Sequence, residues 1–370
     1  MYPCVDVSTQ LVDALVHGGS ASESGALAYS IFFTPRRLKA GKYVLRNFSW
    51  VRLTNAILIT TTLLYAAACA PVIGGPDATP TQVRQLPLIY GVNLSLYDTN
   101  DQIVNNLATQ QLLKQKRVPI IRMPFRFELS DTYELQALRT IKELGAIPLI
   151  IIHGATDQQA LADDRHLISL TQTVFGSDMV YVEFGNEPDL AGVDVRRYTD
   201  AWNATIPQLK AMAPSYKFIG PVNFEHNPTY VATFDRYASP QPDLNSWHEY
   251  ACHPGDTDAD CISHLDDWTA HIQQTNKAVQ AAIGRTVPIM LTEWNLDAEP
   301  DARYTNASFI QRWTTLALRT LDENRSRGLT AAMYYCITNH PSFSLIDGAN
   351  SLTPEGQSFF QSLGNAGNHG

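Results

Sequence analysis

From residue 87 onward, short apolar runs alternate with longer stretches whose apolar residues recur at helical spacing. The runs are 88–94 (LIYGVNL), 118–123 (VPIIRM), 147–153 (IPLIIIH), 180–184 (VYVEF), 218–221, 244–248 (LNSWH), 289–293 (IMLTE) and 331–335. Helical spacing falls between them: up to Lys116, over 131–144, 165–175 and 195–212, after His264, and over 308–325. Strands rich in Ile, Leu and Val without clean alternation suit a parallel sheet covered on both faces. Eight such units predict a closed (β/α)8 barrel, a TIM barrel, over residues 87–365. The rival, a doubly wound open sheet, wants a glycine-rich phosphate turn after its first strand, and none is present.

In a barrel, chemistry collects where strands end. The polar residues closing the predicted strands are Asn93, Arg122, His153, Asn186 with Glu187, His248 with Tyr250, Glu293 with Trp294, and Tyr334 or Tyr335. Pro188 stops the fourth strand, which puts Glu187 at the rim. Glu293 ends the seventh strand, across the ring. Two carboxylates facing one another over a sugar are the minimum apparatus for glycoside hydrolysis. Glu183 shares the orientation of Glu187 by alternation but lies deeper. It reads as structural, in need of an Arg partner or buried hydrogen bonds.

Asn186-Glu187-Pro188 after strand four and Thr292-Glu293-Trp294 after strand seven resemble the signature of glycoside hydrolase clan A, retaining (β/α)8-barrel glycosidases. The likeness runs from about Tyr90 to Phe360. It implies that Glu187 is the general acid/base and Glu293 the nucleophile. Asn186 would bond the sugar 2-hydroxyl, and Arg122 would keep the nucleophile ionised. His248 and Tyr250 resemble a sixth-strand pair whose tyrosine contacts the nucleophile, and Asn93 fits the floor of the first strand. Trp294 and Tyr335 complete the expected support around the sugar. Strand eight reads Met333-Tyr334-Tyr335-Cys336, without the tryptophan platform of many relatives. A tyrosine offers a smaller π face, and two core tyrosines are the competing reading. Within the clan, Thr292-Glu293-Trp294-Asn295 with Ser246-Trp247-His248 leans toward family 39. Gly91-Val92-Asn93-Leu94 with Arg122-Met123-Pro124 leans toward family 5.

Charge narrows the ligand. The 370 residues carry a net charge of −9. Residues 1–80 hold six of the 27 basic and four of the 36 acidic residues, so the body carries 21 and 32, a local −11. An acidic body argues against nucleic acid and polyanions and favours a neutral ligand. The acidic body begins after an address. Residues 56–68 (AILITTTLLYAAA) are apolar, too short for a mature span, and preceded by every N-terminal base. Cys69 follows three alanines, which resembles a lipoprotein signal, although Ala66 stands where leucine is preferred. An ordinary cleaved signal and an uncleaved anchor are the alternatives. The resulting division is 1–50 extension, 51–69 signal, 70–86 linker and 87–365 catalytic domain. An extension of that length before a signal suggests a start codon assigned too early.

The stretch 250–264 (YACHPGDTDADCISH) allows three readings: a Cys252–Cys261 disulfide outside the cytoplasm, zinc on Cys252, His253, Cys261 and His264, or calcium on Asp256, Asp258 and Asp260. Cys4 and Cys336 have no evident partner. The expectation is an extracytoplasmic, membrane-tethered monomer that cleaves oligo- or polysaccharides without cofactor or metal. A non-catalytic carbohydrate-binding lipoprotein and a metal-dependent hydrolase built on the His/Cys/Asp loop are the rivals.

Overall fold

The computed structural model describes residues 88–154, 160–340 and 342–366. The extension, the signal with Cys69 and the linker lie outside the described residues. Eight strands form the sheet: β1 (Ile89–Asn93), β2 (Ile120–Pro124), β3 (Ile147–Ile152), β4 (Tyr181–Phe184), β5 (Lys217–Asn223), β6 (Leu244–Tyr250), β7 (Ile289–Asn295) and β8 (Leu329–Tyr334). Each pairs in parallel with the next, and β8 returns to β1 through Ile89↔Ala331, closing the barrel.

Ten helices are described around it: α1 (Gln102–Asn105), α2 (Leu107–Lys116), α3 (Asp131–Glu143), α4 (Ala160–Phe175), α5 (Val195–Met212), α6 (Pro228–Tyr237), α7 (Asp258–Ser263), α8 (Leu265–Ile283), α9 (Ala307–Glu323) and α10 (Pro354–Ala366). Their starts are written in the sequence. Ser130, Asp194, Asn227 and Asn306 each accept a first-turn backbone N–H, which satisfies donors the helix leaves orphaned. Helix α6 was not among the periodic segments; Asn227 caps it and Pro228 stands in its first turn.

Two apolar layers hold the barrel. Outside the sheet, Trp202, Trp247, Trp268, Trp294 and Trp313 are fully buried against the helices. Inside, Ile120, Leu149, Ile219, Leu244, Met290, Ala331 and Met333 form a plug. Gly91 admits that plug: a Cβ there would sit 2.2 Å from the Met333 sulfur and 2.9 Å from the Ile120 carbonyl. Two residues further along the strands the same inward positions turn polar, Arg122 after Ile120 and Glu183 after Tyr181. The apolar plug is therefore the floor of a polar mouth.

Candidate active site

Arg122 organises the floor of the mouth. Its Nε donates to Glu183 Oε2 at 2.6 Å and its Nη1 to Glu293 Oε1 at 2.5 Å. Nη1 also reaches Asn93 Oδ1 at 2.9 Å, and Nη2 reaches Asn186 Oδ1 at 2.6 Å. Asn93 in turn donates to the Thr292 carbonyl at 3.0 Å. One buried guanidinium on β2 thus fixes residues from β1, β4 and β7. A planar fork of fixed donors can do this, and a lysine cannot. Arg122 thus places its single positive charge between two carboxylates, Glu183 and Glu293.

Glu293 also accepts from the Tyr250 hydroxyl, at 2.6 Å to Oε2. Burial alone would raise its pKa. The charges of His248 and Arg122, with the Tyr250 and Arg122 hydrogen bonds, outweigh burial and hold the carboxyl below its ordinary value. Glu187 goes the other way. Burial and the Glu293 charge raise it, against the opposing pull of His248 and Arg122. His248 Nδ1 lies 2.9 Å from Glu187 Oε1 and 3.7 Å from Glu293 Oε2. Nδ1 therefore faces both acids and shares a hydrogen bond with Glu187. Burial lowers the pKa of His248, but the two carboxylates raise it further, for a net upward shift.

The backbone that presents Glu187 is unusual. Glu187 has φ +47°, and its N–H donates to the Val222 carbonyl at 2.9 Å; Val222 itself has φ +63°. Two residues without glycine's freedom thus share left-handed backbone at the point where β4 and β5 open into the mouth. One donor atom each from Glu187, His248 and Glu293 lies within 4.8 Å of the other two. The two carboxyls thus approach closely enough to flank a single glycosidic bond. Among the described residues, the same three form one group whose donors converge closely enough for a metal ion. However, Arg122 and Tyr250 already occupy both oxygens of Glu293, which suits a carboxylate kept for attack.

The eighth strand resolves its two tyrosines into different roles. Tyr334 is buried in the outer layer against Trp294 and Phe359, and its hydroxyl donates to Asn295 Oδ1 at 3.1 Å. Tyr335 turns to the mouth, where its hydroxyl is hydrogen-bonded to that of Tyr97. Asn295 Nδ2 donates to the Tyr335 carbonyl and fixes that turn. Trp294 does not support the sugar. It follows Glu293 on the strand and so faces outward, packed on Trp268, Trp313 and Tyr334. His153, at the end of β3, is stacked on Phe127 with ring centroids 3.8 Å apart.

Cys252 and Cys261 are joined in a disulfide, so they cannot both serve as zinc thiolates. The three aspartates of the calcium reading are spent separately. Asp258 pairs with Arg303, Asp260 closes a capping box with Thr257, and Asp256 accepts from the His253 backbone. Cys336 is a buried free thiol.

Tyr97 and Asn295 carried no signal in the sequence. Tyr97 lies in a polar loop after β1, and only barrel closure brings it to Tyr335. The TEWN motif did contain Asn295, but its role depends on a backbone carbonyl of strand eight.

No family model matches the sequence, and no curated protein is similar to it by sequence. Solved structures are similar in fold. A monomeric beta-xylosidase from Caulobacter crescentus CB15 superposes with a TM-score of 0.55 at 17% identity over 75% of this chain and 67% of its own. The GH39 enzyme from Xanthomonas axonopodis pv. citri gives 0.56 at 16% identity over 75% and 66%. A GH5-4 broad specificity endoglucanase from an uncultured bacterium gives 0.51 at 13% identity over 76% and 93%. The chain spans about two thirds of the length of the first two structures. Its architecture is a closed (β/α)8 barrel, the fold shared with these structures.

Proposed function

We propose that the protein is a retaining glycoside hydrolase that cleaves β-linked O-glycosidic bonds in oligo- or polysaccharides. The observation that carries this is a pair of glutamates, Glu293 buried and Glu187 half-buried, close together, with pKa values pushed in opposite directions by named neighbours. Glu187, protonated, gives its proton to the glycosidic oxygen as the C–O bond breaks. Glu293, ionised, attacks the anomeric carbon from the opposite face and forms a glycosyl ester. Glu187, now a carboxylate, takes a proton from water, whose oxygen displaces Glu293 and regenerates both groups. Asn186, anchored by Arg122, lies where a hydroxyl next to the anomeric carbon would bond to it. Tyr335 supplies the wall beneath that sugar.

The disulfide beside the mouth supports an oxidising compartment, and with the signal-like segment it supports export and a lipid anchor at Cys69. The test is trapping with 2-fluoro glycosides followed by peptide mass spectrometry. A sugar adduct on Glu293 is expected, and Glu293→Gln should lose at least about 10⁴-fold in kcat. An adduct elsewhere, or an active Glu293→Gln, would refute the assignment. Binding without turnover across a broad panel would place the chain among carbohydrate-binding proteins instead.

A further inference from the structure

Among the described residues Arg126, in the loop after β2, has no counter-ion. Its guanidinium covers the ring of Tyr97 at 5.0 Å, and its Nη2 donates to the Ser95 carbonyl at 3.1 Å. Its Nε is buried with no partner, and Arg126 forms no ion pair among the described residues. Glu134 bonds the backbone N–H of Arg126 at 3.0 Å rather than the side chain. The contrast with Arg122, held by two carboxylates and two amide oxygens, is complete. A half-buried guanidinium left with one neutral acceptor forgoes much of its hydration, and a charged ligand would supply the missing partner.

Its position says which ligand. Tyr97 is hydrogen-bonded to Tyr335, so Arg126 is linked to the mouth through two aromatic rings. The next residue, Phe127, is 63% exposed although it is stacked on His153, and presents a flat apolar face of the kind that pyranose C–H groups cover. Resting on the glycosidase reading, we propose that Arg126, Tyr97 and Phe127 form a subsite for a sugar that carries an oxyanion, above all the carboxylate of a hexuronic acid, adjacent to the residue that is cleaved. The acidic body keeps extended polyanions away, whereas a single oxyanion needs only this one cation.

The test measures binding, so that it does not depend on turnover. Glu293→Gln protein is titrated calorimetrically with matched pairs of oligosaccharides that differ only in one glucuronate, and with sulfate esters of the neutral members. The uronate members should bind at least about tenfold more tightly, the value of one charge-assisted hydrogen bond. That advantage should vanish when Arg126→Gln is added and survive in part with Arg126→Lys, both checked for unchanged melting temperature. A sulfate preference would keep the oxyanion and reassign its source. Equal binding within the pairs, an advantage that survives Arg126→Gln, or no binding by any member would overturn the proposal. A glycan that binds this way yet is never cleaved by the native protein would refute the glycosidase reading alone.

Discussion

At the scale of single residues, the two glutamates set the pH response. In the proposed mechanism Glu293 acts ionised, so activity should fall as pH drops through its lowered pKa. Glu187 acts protonated there, so activity should fall as pH rises through its raised one. A bell-shaped kcat/KM profile is expected. Glu187→Gln should abolish its alkaline limb while sparing substrates whose leaving groups need no proton. Tyr250→Phe removes a 2.6 Å hydrogen bond to Glu293, the proposed nucleophile. The pKa of Glu293 then rises and the acid limb moves to higher pH. Activity should fall about tenfold to hundredfold, as expected for losing a hydrogen bond to a charged group. Steady-state pH profiles of the two variants check both. An unmoved acid limb in Tyr250→Phe would mean that Arg122 alone keeps Glu293 ionised.

At the scale of elements, the eight strands were legible because a doubly covered strand must be apolar along its length, and the turns between them are polar. Their ends were less so. Strands β6 and β7 run on to Tyr250 and Asn295, past the point where hydrophobicity stops, because inward polar residues there are paired with one another. Helix α10 carries a group that no pattern marks as special. Glu355, in its first turn, is fully buried beside Tyr334 and Tyr304, and burial pushes its carboxyl up to about 8. A raised folded-state pKa gives stability that is complete below the unfolded value of 4.5 and is lost as pH rises toward 8. Glu355→Gln should therefore melt above the native protein at pH 8 and lose that advantage near pH 4.5. Calorimetric scans at the two values check the sign. Gly91→Ala should destabilise at any pH, by about 1–3 kcal/mol, since its methyl group collides with the Met333 sulfur and the Ile120 carbonyl.

At the scale of the whole molecule, strand ends from all around the ring meet in one mouth, and sequence order conceals most of those meetings. Arg122 joins residues 29, 61 and 171 positions away, and the Tyr97–Tyr335 bond spans 238. Glu187 and Glu293 could be read from their motifs, whereas Tyr97, Asn295 and Arg126 acquire meaning only once the barrel closes. The disulfide, by contrast, is local. Its separation of nine residues predicts a loss of about 2–3 kcal/mol on replacing Cys252 and Cys261 by serine, measurable as a lower melting temperature. Burial of both sulfurs in the outer core makes reduction in the folded state slow. The left-handed backbone at Glu187 has a wider consequence. Glycine would suit φ +47° better than any L-residue, so a chain shaped only for durability would drift to glycine there and become more robust and inert. An acidic side chain at that bend is a standing sacrifice of conformational comfort, and any thermostabilised variant obtained by unguided selection should be sequenced first at position 187.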